Sequence, residues 1–263
     1  MKVRDITEAI EAFAPLRIQE DWDNSGLCIG SPDDEVHGVL VGFDCTPGLI
    51  DEAVASGCDM VVTHHPLIFR GIRRICAEDP VGAAVMKAVK EGVAVYAAHT
   101  SADKVIAGVS GAMARRLGLE EIEVLEPGDG GYGLGAVGVL PEPMDGEAAL
   151  RYVRDRFGLS VIRHSRPLRT PIRKVAVLGG SGAGETGAAL RAGAQLYITA
   201  DVSYHHFFTP EGFMVMDIGH FESEVEIVDI FFSVLKKNFP TFAVRLSGCL
   251  DRSNPVHYFG MSE

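Results

Sequence analysis

The sequence predicts an α/β fold built as two similar lobes with mostly parallel central sheets. Three observations predict it. Apolar runs alternate with helical patterns along most of the chain, the order that buries a parallel sheet under helical crossovers. Proline opens and glycine closes the first helical patterns, as the two ends of a helix require. A 28-residue stretch at 38–65 recurs without gaps at 174–201.

Each element follows from its own pattern. MKVRDITEAIEAFAPL at the N-terminus is amphipathic and carries acidic residues, so it reads as a helix and not as a signal peptide. Runs 38–44, 58–65 and 92–100 are apolar and of strand length. Helices are expected at 47–56 and 80–91, with Pro47 and Pro80 in the first turns and Gly57 and Gly92 just past the ends. The turn-rich PGDGGYG at 127–133 reads as a connection between lobes. Strands then follow at 134–140, 160–164, 174–180, 194–201 and 211–219, with helices at 145–157 and 184–192. A last helix is expected at 223–238, its apolar residues forming a broad buried face. The lobes are then 1–126 plus 202–263, and 127–201.

The repeat at 38–65 and 174–201 shares six identities: Val39/Val175, Val41/Val177, Gly48/Gly184, Ala53/Ala189, Gly57/Gly193 and Thr63/Thr199. Six is weak, and generic βαβ composition supplies many of them. The common length still suggests two similar units.

Charge and cysteine content narrow the function. The net charge is −12, so no general basic footprint for nucleic acid is present. Arg70, Arg73 and Arg74 form a local patch that reads as a solvated loop. Five cysteines without a CxxC pair exclude a disulfide framework and a thiolate zinc site. Cys45 and Cys58 read as core fillers. No apolar stretch is long enough to span a membrane, so a cytoplasmic protein is expected.

Three separate segments end in metal-ligand residue types: VVTHHPLIF with His64 and His65, AAHTSADK with His99 and Asp103, and DIGHFESE with His220 and Glu224. Imidazole and carboxylate together suit a divalent transition metal. Each segment follows an expected buried strand, where open α/β folds build sites. Neighbouring strand residues point to opposite faces, so His64 and His65 converge only if the strand has ended, as Pro66 suggests. Ser223 with Glu226 has the form of a capping box, which starts the last helix near Glu224 and leaves His220 in the loop before it. Two carboxylates and up to four histidines exceed what one tetrahedral ion takes, whereas two ions would use them. The competing reading makes these histidines satisfied core residues.

Two further motifs carry less. GGSGAGET at 179–186 has nearly the spacing of a phosphate-binding loop, but Glu185 stands where the lysine is needed, so it reads as a tight turn. DWDN at 21–24 holds the only tryptophan, Trp22. It reads as a loop anchored by a buried aromatic, or as a loop beside the site.

Taken together, DWDNSGLCIG, VVTHHPLIF, AAHTSADK, AVLGGSG, TADVSYHHF and DIGHFESE resemble the NIF-three-like family of dinuclear-metal proteins, often labelled GTP cyclohydrolase 1 type 2 homologs. The resemblance runs from about residue 21 to residue 224. It implies that His64, His65, Asp103, His220 and Glu224 hold two divalent ions per chain (zinc, iron, manganese, cobalt or nickel) in a cleft between the lobes. It places His99 and His205 near the site as candidate catalytic groups. Two departures, HTSAD for the usual HTNLD and TAD for TGD, leave those ligand types in place. The family also implies a toroidal hexamer, a trimer of dimers. The function expected is hydrolysis of a small-molecule substrate, a nucleotide by the family label, through a metal-activated water. The alternative is a non-catalytic metal-binding, regulatory or cofactor-assembly scaffold. Neither a membrane nor a nucleic-acid partner is expected.

Overall fold

The computed structural model describes residues 1–259. In chain order its first elements are α1 (Val3–Phe13), β1 (Gly26–Ile29), β2 (Gly38–Val41), α2 (Pro47–Ala55), β3 (Met60–Thr63), α3 (Pro80–Glu91), β4 (Ala94–Ala97) and the short α4 (Thr100–Asp103). There follow α5 (Val109–Arg116), β5 (Glu120–Pro127), β6 (Gly133–Met144), α6 (Gly146–Phe157), β7 (Arg163–His164), β8 (Ile172–Val177), α7 (Thr186–Arg191), β9 (Leu196–Thr199) and β10 (Met214–Asp217). The chain closes with α8 (His220–Glu224), α9 (Ile227–Asn238) and β11 (Ala243–Leu246).

The chain forms two compact units, Met1–Ala102 with Ile227–Pro255, and Asp103–Glu226 with Val256–Glu263, of which 260–263 lie outside the described residues. The first unit is interrupted, and its limits fall at 102/103 and 226/227, where the sequence reading set 126/127 and 201/202. Strands β5 and β10 pair within the second sheet, which draws 103–126 and 202–226 into the second unit.

In the first unit the strand order is β1-β4-β3-β2-β11. Strands β4, β3, β2 and β11 run parallel and β1 is antiparallel at the edge. Every residue of β2, β3 and β4 is buried, which explains their unbroken apolar runs. Helix starts are fixed locally: the Thr46 side chain accepts from the Leu49 amide and the Asp79 side chain from the Gly82 amide, each followed by proline. Gly92 ends α3 in the left-handed region at φ 67°, which glycine adopts without strain. Leu40, Ile50, Val61, Ala84, Ala88 and Val95 belong to the core between sheet and helices. Full burial of Leu40 or Ile50 stabilises the unit by about 1.5–3 kcal/mol each. The register Val41↔Val62 and Thr63↔Ala97 aligns the ends of β2, β3 and β4. Asp44, His64, His65 and His99 therefore all follow one sheet edge.

In the second unit the strand order is β5-β6-β8-β9-β10-β7. Only β8, β9 and β10 are parallel to one another, and the other three pairings are antiparallel. This sheet is mixed where a mostly parallel one was expected. β6 runs antiparallel to both β5 and β8, and β7 antiparallel to β10; the strand missing from the sequence reading is β5, an edge strand that reads EEIEVLEP and buries only Leu125. Acidic edge strands resist pairing with other chains but carry no apolar run to reveal them. Residues 127–133 are therefore the turn of a hairpin between β5 and β6. Strict alternation covers both faces of the sheet: Val175, Val177, Leu196 and Ile198 face one core and Ala176 and Tyr197 the other.

The internal repeat is present as structure. Met60–Thr63 and Leu196–Thr199 are strands at an offset of 136, each parallel to the strand before it across a helix. The expected helix 223–238 is two helices, α8 and α9. Among the described residues no helix is long and apolar enough to cross a membrane.

Candidate metal centre

The donors of the first unit come from the turn after β3 and the residue after β4. The strand has ended at Thr63, and both the His64 and His65 amides donate to the Phe43 carbonyl, at 3.1 and 3.3 Å. Thr63 Oγ1 donates to the His65 carbonyl at 2.9 Å. This tight reversal lets two neighbouring side chains converge, as the sequence required. The rings of His64 and His65 lie 4.9 Å apart by centroid, and His99 lies 5.4 Å from each. One ligand-type atom from each of the three falls within 4.8 Å of the others.

The hydrogen bonds of these rings fix their chemistry. His64 Nδ1 donates to the Ala98 carbonyl at 3.0 Å, His65 Nδ1 to Asp44 Oδ1 at 2.8 Å, and His99 Nδ1 to Asp23 Oδ1 at 2.8 Å. A carbonyl or an ionised carboxylate only accepts, so the proton sits on Nδ1 and the lone pair on Nε2. Metal-binding histidines are held in this way by the nitrogen remote from the ion. Asp23 is the most heavily used acceptor. Its Oδ2 takes hydrogen bonds from Ser25 Oγ, the Thr100 amide and Thr100 Oγ1. Burial opposes its ionisation, but the hydrogen bonds from His99, Thr100 and Ser25, with the His99 charge, hold its carboxyl far below the usual range.

The second unit carries its own donors on α8. His220 and Glu224 stand one turn apart on this helix, with His220 Nε2 3.0 Å from Glu224 Oε2. This corrects the expectation that His220 lies in a loop before a capped helix. Ser223 does not cap: its Oγ accepts from the Gly180 amide at 2.9 Å and donates to the His220 carbonyl at 2.8 Å. His220 Nδ1 donates to Asp201 Oδ2 at 2.8 Å, so in the neutral ring a lone pair faces the Glu224 carboxylate. A proton or a shared cation satisfies such a pair. About 3 Å is also the separation of neighbouring ligands around one ion with bonds near 2.1 Å.

The glycine-rich turn explains why that carboxylate fits. Gly180 has φ 65°, and a Cβ there would stand 2.1 Å from Glu224 Oε1 and 3.4 Å from His220 Cε1. A Cβ on Gly179 would meet Glu224 Cγ at 3.2 Å. The phosphate-loop lookalike is thus a bare backbone wall behind the buried Glu224. Asp201 also adopts a positive φ, 52°, a conformation uncommon outside glycine. Neither Asp44, Asp201 nor Gly180 was legible as part of a site, since each acts through another residue.

Asp103 is the half-buried last residue of α4, the single turn that starts beside His99 and is pinned by Thr100 to Asp23. His205 is exposed on a short helix, Tyr204–Phe207, against Tyr204 and Phe208. It joins none of the candidate ligand groups among the described residues. Trp22 is 61% exposed, so the DWDN loop is not anchored by a buried aromatic. The Asp23 side chain, fully buried, is the anchor. The donor set is imidazole and carboxylate throughout. It fits zinc, iron, manganese, cobalt and nickel.

The profile of Duf34/NIF3 (NGG1p interacting factor 3) matches residues 1–255. A Clostridium perfringens protein named GTP cyclohydrolase 1 type 2 homolog is 33% identical over 228 residues, covering 85% of this chain and 87% of its own length. A Streptococcus pneumoniae protein of the same name is 30% identical, covering 98% of this chain and 100% of its own. Among solved structures, Staphylococcus aureus hypothetical protein SA1388 has a TM-score of 0.90 at 25% identity, covering 98% of this chain and 99% of its own. Reduced HcgD from Methanocaldococcus jannaschii has a TM-score of 0.79 at 27% identity, covering 95% of this chain and 98% of its own.

Proposed function

The chain belongs to the Duf34/NIF3 family, and from that premise we propose a metal-dependent hydrolase whose ions are held by His64, His65, Asp103, His220 and Glu224. The observation that supports this reading is the convergence of His64, His65 and His99, each of which offers a ligand-type atom within 4.8 Å of the others while its Nδ1 donates to an acceptor. Divalent ions bound there would acidify a coordinated water and polarise a substrate oxygen.

The protein's own groups supply the rest. Asp44 and Asp201 hold His65 and His220 in one tautomer and orientation. Asp23, kept ionised, fixes Nδ1–H on His99 and stabilises the imidazolium that forms when Nε2 takes a proton. His99 can therefore accept a proton from the attacking water and return it to the leaving group. The aromatic ring of Phe43 stacks on His64 at 5.8 Å and shields that side from solvent.

Elemental analysis of unchelated protein tests the centre. Two ions per chain are expected, falling in His65→Ala and Glu224→Ala. Retention of both ions in both variants would refute the ligand assignment. Activity is read across ester, phosphoester and nucleotide panels. The relatives' name makes GTP the first nucleotide to assay, with a search for a formylated or ring-opened product. Metal-loaded protein inert on every panel would remove the hydrolase reading while leaving the metal centre standing.

A further inference from the structure

The first unit carries an exposed aromatic corner whose two outer rings, Trp22 and Phe69, the metal chemistry does not use. Trp22 and Phe69, 61% and 43% exposed, meet at 5.9 Å with their planes at 65°. His99 closes the corner, 6.1 Å from Trp22 at 72° and 5.9 Å from Phe69 at 80°. Three rings at steep mutual angles present faces and edges together, the arrangement that receives a further planar ring. The corner is fastened. Asn24 Nδ2 donates to the Ile68 carbonyl at 2.6 Å, tying the Trp22 loop to the Phe69 loop, and Asp23 anchors the former to His99 and Thr100.

Charge adds the second half. Directly after Phe69 the chain runs RGIRR, and residues 70–79 are all exposed. Arg70, Arg73 and Arg74 make no ion pair among the described residues. In a chain of net charge −12, three arginines within five residues, none in an ion pair among the described residues, mark a place for an anion beside the aromatic corner.

We propose that Trp22, Phe69 and the arginine loop 70–74 form the substrate subsite, taking a planar heteroaromatic ring that bears an anionic group. This rests on the hydrolase reading for its purpose and on the first unit alone for its geometry. The ring stacks on Trp22 beside His99. The anion meets the arginines, and the group between them is presented to the histidine cluster.

Trp22 is the only tryptophan, so its fluorescence reports on this corner directly. The probes are GMP, AMP, guanosine and ribose 5-phosphate, titrated into chelator-treated full-length protein. Saturable quenching is expected with GMP or AMP, weaker binding with guanosine, and no quenching with ribose 5-phosphate. Phe69→Ala keeps the reporter and should weaken nucleotide binding about tenfold. The paired variant Arg73→Ala/Arg74→Ala should bring GMP down to the affinity of guanosine. Both positions are exposed, and unchanged circular dichroism and elution volume will confirm that these variants fold.

Absence of quenching by all four probes overturns the proposal, as does equal quenching by ribose 5-phosphate. Emission that changes only with protein concentration, and not with nucleotide, also overturns it and makes the corner a contact between copies of the chain. Because the titration needs no metal, it separates from the hydrolase question. Quenching without turnover keeps the subsite and sinks the hydrolase, while turnover without quenching does the reverse.

Discussion

Gly180→Ala tests the wall behind Glu224 with a single methyl group. The perturbation has two parts. At φ 65° a non-glycine residue pays about 1–2 kcal/mol of backbone strain. The new Cβ also falls 2.1 Å from Glu224 Oε1, and ordinary carbon–oxygen contact lies more than about 1 Å farther out. The carboxylate must swing by that amount, although it is only 3% exposed and faces His220 Nε2 at 3.0 Å. Strain alone lowers the thermal midpoint by about 2–4 °C per kcal/mol. Displacing the proposed ligand pair should lower metal affinity by about 10–100-fold, the usual cost of disturbing a ligand's support. Competition with a chromogenic chelator measures the affinity, and calorimetry measures the midpoint. Gly184→Ala is the control, since no heavy atom lies within 4 Å of its Cβ position and both quantities should stay at the parent values. Parent-like metal affinity in Gly180→Ala, despite a lowered midpoint, would refute Glu224 as a ligand held by this wall.

Other expectations follow from the same geometry. Asp201→Gly relieves a positive φ but removes the acceptor of His220 Nδ1, so the thermal midpoint should hold or rise while metal affinity falls about 10–100-fold; parallel losses of both would contradict it. Asp44→Ala should weaken metal binding similarly, because His65 loses its Nδ1 acceptor, and dialysis against chelator will show earlier release. Burial raises the Glu11 carboxyl, the Tyr96 hydroxyl lowers it and Glu8 raises it, for a net rise. A raised carboxyl favours the fold at low pH and loses that advantage as pH climbs through its folded value. Glu11→Gln should therefore melt higher than the parent at pH 7, with the difference vanishing below about pH 4.3. The hexamer implied by the resemblance predicts a light-scattering mass of six chains.

Much of the scaffold was legible because proline and glycine punctuate it. Pro47, Pro80 and Gly92 set helix ends that the structure reproduces within a residue. The ligand-type clusters were legible for a similar reason: polar pairs stand out against buried strands. Three things were hidden. Strand β5 lies on an edge among glutamates and offers no apolar run. Helix α8 was masked by Ser223, whose hydroxyl could have capped a later helix but instead bonds Gly180 and the His220 carbonyl. The lobe boundaries were hidden because β5 and β10 choose their partners through the tertiary fold, and local sequence does not name a partner strand.

The unlike acceptors behind the three first-unit histidines have an electronic consequence. His65 and His99 lean on carboxylates, whereas His64 leans on a peptide carbonyl. A carboxylate pushes electron density into the ring and strengthens its donor nitrogen, and a neutral carbonyl does so less. The three imidazoles are therefore supported unequally, His64 by a neutral acceptor and His65 and His99 by carboxylates. A cation bound among them would feel a lopsided field, and two ions would not be held alike.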